Sequence, residues 1–175
     1  MLRLVGQTAW QGLFRHGALK ARQTVLIHYA VQFAKAKGAR VITTVSTGNV
    51  QFARDLGADV VIDYKKQRFE DEASDLDMVF DLIDGETRER SWKLLKKGGI
   101  LISDPSQDRA KEHGVRSTRY TVEADGSELA GIAGLVTSGK VKPRVQKAYP
   151  LRSAVDALAS VEEGHSVGKI VMTVE

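Results

Sequence analysis

Short β-branched segments alternate with helical segments along this chain, and that alternation predicts an α/β protein. The expected form is a doubly wound parallel sheet with helices on both faces. Three observations carry the prediction. The strand candidates are rich in Val, Ile and Leu rather than alternating apolar with polar, as strands covered on both faces are. Strand, helix and strand recur at the spacing of crossover units. Helix candidates are followed by glycine, as at Gly38 and Gly57, where a left-handed residue closes a helix.

The expected strands are 24–28, 40–45, 60–63, 78–83, 99–103 and 116–122. Helices are expected at 30–37, 50–56, 86–95, 107–113 and 127–137, with Ser106 and Asp125 as N-caps. An apolar-faced helix over 8–19, carrying Trp10, Leu13 and Phe14, precedes the first strand. After Lys142-Pro143, a strand at 145–149, a helix at 153–162 and a strand at 169–174 form a tail. Residues 1–143 are therefore expected to form the sheet domain and 144–175 a C-terminal helix–strand segment. The right-handed crossover rule leaves few topologies for the sheet.

Composition narrows the function classes. The 175 residues suffice for one domain with a sizeable core. Hydrophobic content of 42% and charged content of 27% are ordinary for a globular protein. The longest apolar runs are strand-length, so no membrane span is expected. No signal-peptide pattern opens the chain, and it has no cysteine. Disulfides and thiolate zinc sites are thereby excluded, and a cytoplasmic location is the default. The net charge of +4 is spread among acidic residues, as in Glu86-Thr87-Arg88-Glu89-Arg90, so no nucleic-acid partner is expected.

The most informative stretch is Val25-Leu26-Ile27-His28-Tyr29-Ala30-Val31. A buried strand runs almost directly into a helix. A nucleotide-binding crossover unit normally has a Gly-rich turn at this point, which lets the backbone approach a pyrophosphate. Here the turn is reduced to His28-Tyr29.

Other motifs are weaker. Gly164-His165-Ser166-Val167-Gly168-Lys169-Ile170 departs from a phosphate-binding P-loop in spacing and lacks the hydroxyl after the lysine. His16, His28, His113 and His165 lack metal-ligand spacing. Glu70-Asp71-Glu72 reads as a solvated helix face. No nucleophile elbow is present.

Leu4-Val5-Gly6-Gln7-Thr8-Ala9-Trp10-Gln11-Gly12-Leu13-Phe14 resembles the lead-in to the cofactor domain of medium-chain dehydrogenases/reductases, in particular quinone oxidoreductase-like members. Leu56-Gly57-Ala58-Asp59 before Ile62-Asp63-Tyr64, Val79-Phe80-Asp81, Leu95-Lys96-Lys97-Gly98-Gly99 and Gly168-Lys169-Ile170-Val171 are similar to further signatures of that family. The matches run in order along nearly the whole chain. The resemblance implies a Rossmann-type domain from an NADPH-dependent oxidoreductase, acting on a quinone, enone or carbonyl. It also marks departures. The family's N-terminal catalytic domain is not matched here, and zinc-binding members take their ligands mainly from it, so no zinc is expected in this chain. The family's glycine loop is missing at His28-Tyr29, and a second loop is shortened at Ser103-Asp104-Pro105. Two accounts fit these shortenings: deliberate deletion in an excised domain, or a mobile pair of loops left out of the sequence with the remainder renumbered.

The resemblance also implies the site. Ser46, Thr47 and Asn49 follow the second strand, where NAD-preferring sites carry a carboxylate. Neutral donors there favour NADP over NAD, with NAD left open; family members using NADPH place a basic residue near Asn49, and this chain does not. Capping of the next helix is the alternative role for these residues. Tyr64 would flank the adenosine 2′-phosphate, or be a half-buried edge tyrosine. Thr8 would line the nicotinamide side, or be a plain helix residue. Ile83-Asp84 and Ser103 would line the groove from the fourth and fifth strands. No catalytic side chain is expected, since the cofactor would carry the chemistry. With its binding loop missing, the literal chain is expected to bind cofactor poorly. Two other classes stay open: a non-catalytic excised domain, and a homodimerising module using an unpaired C-terminal strand Ile170–Val174 as an exposed edge.

Overall fold

A computed structural model describes residues 3–27, 30–83, 85–102, 107–118, 120–162 and 167–174. Helix α1 (Arg3–Trp10) runs into a π-helical turn at Gln11–His16. There follow β1 (Thr24–Ile27), α2 (Val31–Ala36), β2 (Arg40–Val45), a 3₁₀ turn at Thr47–Asn49, α3 (Val50–Asp55) and β3 (Val60–Asp63). The second half contains α4 (Phe69–Glu72), β4 (Leu76–Phe80), α5 (Glu86–Ser91), β5 (Leu95–Ile102), α6 (Gln107–Glu112), β6 (Arg116–Thr118) and α7 (Gly126–Thr137). The tail is β7 (Val145–Pro150), α8 (Ala154–Glu162) and β8 (Lys169–Thr173).

Six strands form one sheet in the order β3-β2-β1-β4-β5-β6, and every neighbouring pair is parallel. The order reverses between β1 and β4, which defines the switch point of a doubly wound sheet. Successive side chains point to opposite faces, so each strand feeds two cores. Val25, Ile27, Val41, Phe80 and Ile102 pack with Leu13, Ala34 and Ile132 on one side. Leu26, Ile42, Ile62, Val79 and Leu101 pack with Phe69, Trp92 and Ala110 on the other. Burial on both faces explains why the strands read as continuous apolar runs.

Strands β2 and β3 have the expected bounds, while several other elements differ. The fourth strand stops at Phe80 rather than Ile83. The Asp81 carboxylate accepts the Ile83 amide at 2.8 Å and turns the chain out of the sheet. The sixth strand ends at Thr118 rather than Val122. Beyond it the backbone is held by a side chain: the buried Gln11 amide donates to the Glu123 carbonyl at 2.8 Å and accepts the Glu123 N–H at 3.1 Å. The first helix begins at Arg3 rather than Thr8 and widens into the π turn at Gln11. Gly12 is squeezed there; a Cβ would lie 2.6 Å from both Phe80 Cε2 and the Tyr120 hydroxyl.

The C-terminal strand corrects the sequence reading outright. It is not an unpaired edge: β8 pairs in parallel with β7, with Ala148 opposite Val171 and Tyr149 opposite Met172. The two form a separate sheet, bridged by α8. Asp125 caps α7 as expected, accepting the Ser127 and Glu128 amides at 2.8 and 3.0 Å. Gly38 and Gly57 have φ of +77° and +91°, the left-handed geometry their positions require. The proposed cap Ser106 lies outside the described residues, as do His28, Tyr29, Asp84, His165 and Ser103.

Candidate nucleotide cleft

A cleft of about 810 Å³ opens beside the carboxyl ends of β2 and β3, within the size range of small-molecule sites. Its geometry follows from the register of the two strands. Val45 lies opposite Asp63, and the Tyr64 amide donates to the Val45 carbonyl at 3.1 Å. Ser46 and Tyr64, the first residues past each strand, are thereby brought side by side.

Ser46 opens the 3₁₀ turn, and its carbonyl accepts the Asn49 amide at 2.8 Å. The Asn49 side-chain amide donates to Ser46 Oγ at 3.1 Å. Neither side chain makes a capping bond to the turn or to α3. Both line the cleft, as does Gly48 between them. Tyr64 lines it from the β3 side and is more than half exposed. Ile83 reaches it from beyond β4, positioned by the Asp81 turn.

The structure brings Ser46, Asn49, Tyr64 and Ile83 together. Thr47 lies in the same turn but does not line the cleft. Thr8 is not part of it either. Its hydroxyl donates to the Leu4 carbonyl at 2.8 Å, and its own carbonyl accepts the Tyr120 hydroxyl at 2.6 Å. Ser103 is outside the described residues.

Several lining residues escaped the sequence reading. Lys65 follows Tyr64 and was legible from the strand end alone. Thr87 and Arg90 lie three apart on α5 and so share a face; only their place on the helix after β4 could have flagged them. Val167 and Gly168 arrive from the tail, with no local signal. Phe52 and Phe69 contribute aromatic wall.

Charge is organised around these aromatics. The Arg90 guanidinium lies 4.7 Å from the Phe69 ring centroid, and the Arg144 guanidinium lies 4.5 Å from that of Phe52. Arg90 and Arg68 each reach Glu70 at 3.3 Å. Burial pushes the Glu70 carboxyl upward, but its own backbone N–H, Arg90 and Arg68 together hold it below the ordinary carboxylate range. No carboxylate is among the described residues lining the cleft. Its charged lining consists of Lys65 and Arg90, which suits an anionic ligand.

One end of this cleft offers the groups that a nicotinamide dinucleotide would need. Ser46, Asn49, Tyr64 and Lys65 offer donors for a ribose or a phosphate, beside the apolar Phe52, Leu56 and Ile83. The pyrophosphate end fits less well. Ala30, the residue before α2, has φ of +73°, a conformation natural to glycine, and makes no side-chain cap. The chain has no cysteine, and among the described residues no group of three His, Asp or Glu could hold a metal ion. No described helix is long and apolar enough to cross a membrane.

Residues 56–172 match the family described as zinc-binding dehydrogenase. The chain is 30% identical to 2-methylene-furan-3-one reductase of Solanum lycopersicum, across 98% of this chain and 45% of the relative. It is 31% identical to the chloroplastic NADPH-dependent alkenal/one oxidoreductase of Arabidopsis thaliana, with the same coverage of 98% and 45%. Its fold superposes on the quinone oxidoreductase of Coxiella burnetii with a TM-score of 0.89 and 32% identity, covering 98% of this chain and 59% of that one. The chain belongs to the zinc-binding dehydrogenase family, within the medium-chain dehydrogenases/reductases, and is quinone oxidoreductase-like. It spans about half the length of the curated relatives it matches.

Proposed function

We propose that this chain is the cofactor-binding part of an NADPH-dependent oxidoreductase that reduces a quinone, enone or other activated carbonyl compound. The observation that carries the reading is the cleft at the strand ends, lined by Ser46, Asn49, Tyr64 and two cations with no described carboxylate. The activities of the relatives, a 2-methylene-furan-3-one reductase and an NADPH-dependent alkenal/one oxidoreductase, support the reaction class. NADPH, when bound, supplies the reducing equivalent. The chain's own residues bind and orient its adenosine end: Ser46 and Asn49 from the 3₁₀ turn, Tyr64 from the β3 end, Ile83 against the base. NAD is the weaker ligand in this reading because the described rim offers no carboxylate to the ribose hydroxyls. The setting proposed is cytoplasmic.

The domain division follows from the same reading. Val155, Leu158 and Val161 on α8 are exposed, Val155 at 81%, and Met172 and Val174 lie exposed in or beside β8. We assign this apolar face to contact with a catalytic half like the one that completes the relatives' length. The substrate would lie between the halves.

The reading also makes a negative claim. Without a glycine-rich turn before α2, the literal chain binds NADPH weakly and does not turn over. Titration followed by nicotinamide fluorescence tests this. Weak, incomplete saturation is expected; saturation in the micromolar range would show that the loop is dispensable.

A further inference from the structure

We propose that Gln32 and Phe52 are positioning residues that fix the seat of the C-terminal tail on the sheet domain, and that a ligand in the cleft tightens that seat; the second clause rests on the nucleotide reading above. The tail has little else to hold it. Neither of the two cores on the faces of the six-stranded sheet includes a described residue beyond Val141. The tail pairs its own strands, packs α8 on them and buries its own Tyr149 and Ala157. It is a separate small body, so its placement depends on the few contacts that cross the joint.

Two such contacts come from the helices beside the cleft. Gln32 on α2 clasps Lys142 in both directions: its amide donates to the Lys142 carbonyl at 3.2 Å, and its Oε1 accepts the Lys142 N–H at 2.7 Å. Phe52 on α3 carries the Arg144 guanidinium 4.5 Å from its ring centroid. Arg144 in turn ties the start of β7 to the start of β8, its carbonyl accepting the Lys169 N–H at 2.9 Å. Gly168 presses on the same group; a Cβ there would lie 2.7 Å from the Arg144 carbonyl. Val167 and Gly168 are the tail's part of the cleft wall, and Phe52 lines the same cleft. Both contacts lie at the surface, and contacts of these two kinds are individually weak there. The seat is therefore shallow, and a ligand touching Phe52 and the 167–168 wall together deepens it. Linkage makes the effect reciprocal: the factor that the ligand gains from the seated tail, the seat gains from the ligand. Because α8 belongs to the tail, the same two residues set where its apolar face meets the catalytic half.

Residual dipolar couplings of the whole chain read the seat directly, in the wild type, in the Gln32→Ala/Arg144→Ala double variant and in Arg144→Lys. Neither Gln32 nor Arg144 lines the cleft. One alignment tensor should fit both sheets of the wild type and of Arg144→Lys, which keeps a cation over Phe52. The double variant should need two tensors, while the couplings within each sheet still fit; a mere loss of stability leaves one tensor until the chain unfolds. The ligand probe is adenosine 2′,5′-bisphosphate, which needs no pyrophosphate loop. It should slow exchange of the Lys169 amide in the wild type by about tenfold, and bind the double variant about tenfold more weakly. A double variant whose two sheets still share one tensor overturns the seat. Equal affinity of the wild type and the double variant, or unchanged Lys169 exchange in the saturated wild type, overturns the coupling. Failure of the probe to bind the wild type overturns the nucleotide reading and the coupling, and the tensors still decide the seat.

Discussion

The Tyr64 amide donates to the Val45 carbonyl at 3.1 Å, one step beyond the last paired residues of β2 and β3. That bond carries the sheet's register out to the strand ends, where the cleft lies. The site is therefore only as well placed as the sheet beneath it, and the first prediction concerns that sheet.

Leu26 is fully buried in the central strand, packed against Ile42, Val79 and Leu101. Leu26→Ala should lower unfolding stability by about 2–5 kcal/mol, since the central strand has little freedom to collapse into the cavity. Urea denaturation followed by circular dichroism measures it; a loss below about 1 kcal/mol would contradict the packing described.

Gln11 substitutes for a strand partner, with its amide bonded to both backbone groups of Glu123 and also to Glu128 Oε2 at 2.6 Å. Gln11→Ala removes the partner of both Glu123 backbone groups, in part-buried bonds, and should destabilise by about 1–3 kcal/mol. Hydrogen exchange at the Glu123 amide should accelerate in the variant. An unchanged exchange rate would mean the connector is held by something else.

Asp77 ties the amino-terminal edge of the sheet. It accepts the Thr24 amide at 2.9 Å and pairs with Lys96 at 2.5 Å. Burial raises its carboxyl, but Lys96, the Thr24 amide and Gln23 bring it below the ordinary value of 3.8. A carboxyl depressed in the folded state stabilises above its unfolded value, and that stability is lost as pH falls through the folded value. Asp77→Asn should therefore cost about 1–2 kcal/mol at pH 7. The gap from wild type should narrow as pH drops below 3.8. A gap independent of pH would show that the ionised form is not what stabilises.

Burial pushes the Tyr120 phenol up to about 12, and its hydroxyl donates to the Thr8 carbonyl at 2.6 Å. A group raised on folding contributes stability below its unfolded value and loses it as pH rises through the folded one. Absorbance titration should thus show a late tyrosinate step near pH 12 that Tyr120→Phe removes. The same step surviving in the variant would assign it elsewhere.

Much of the fold was legible because it is locally encoded. The β-branched runs at Arg40–Val45 and Val60–Asp63 have polar flanks, and their bounds match the structure. What was misread depends on partners far along the chain. The sixth strand ends early because Gln11 takes over its backbone, and β8 is paired because β7 comes to it. At the site, Ser46, Asn49 and Tyr64 were legible as strand-end residues. Lys65 required only one further step along the loop. Arg90 was hidden in a mixed-charge helix, and Val167 and Gly168 reach the cleft only through tertiary folding.

The central claim is that the ends of β2 and β3 hold the adenosine end of a nicotinamide dinucleotide. Amide chemical-shift mapping with adenosine 2′,5′-bisphosphate tests it most directly. The account predicts saturable shifts clustered at Ser46, Asn49, Tyr64, Lys65 and Arg90. Shifts confined to α8 and the β7–β8 sheet, or none at millimolar ligand, would contradict it.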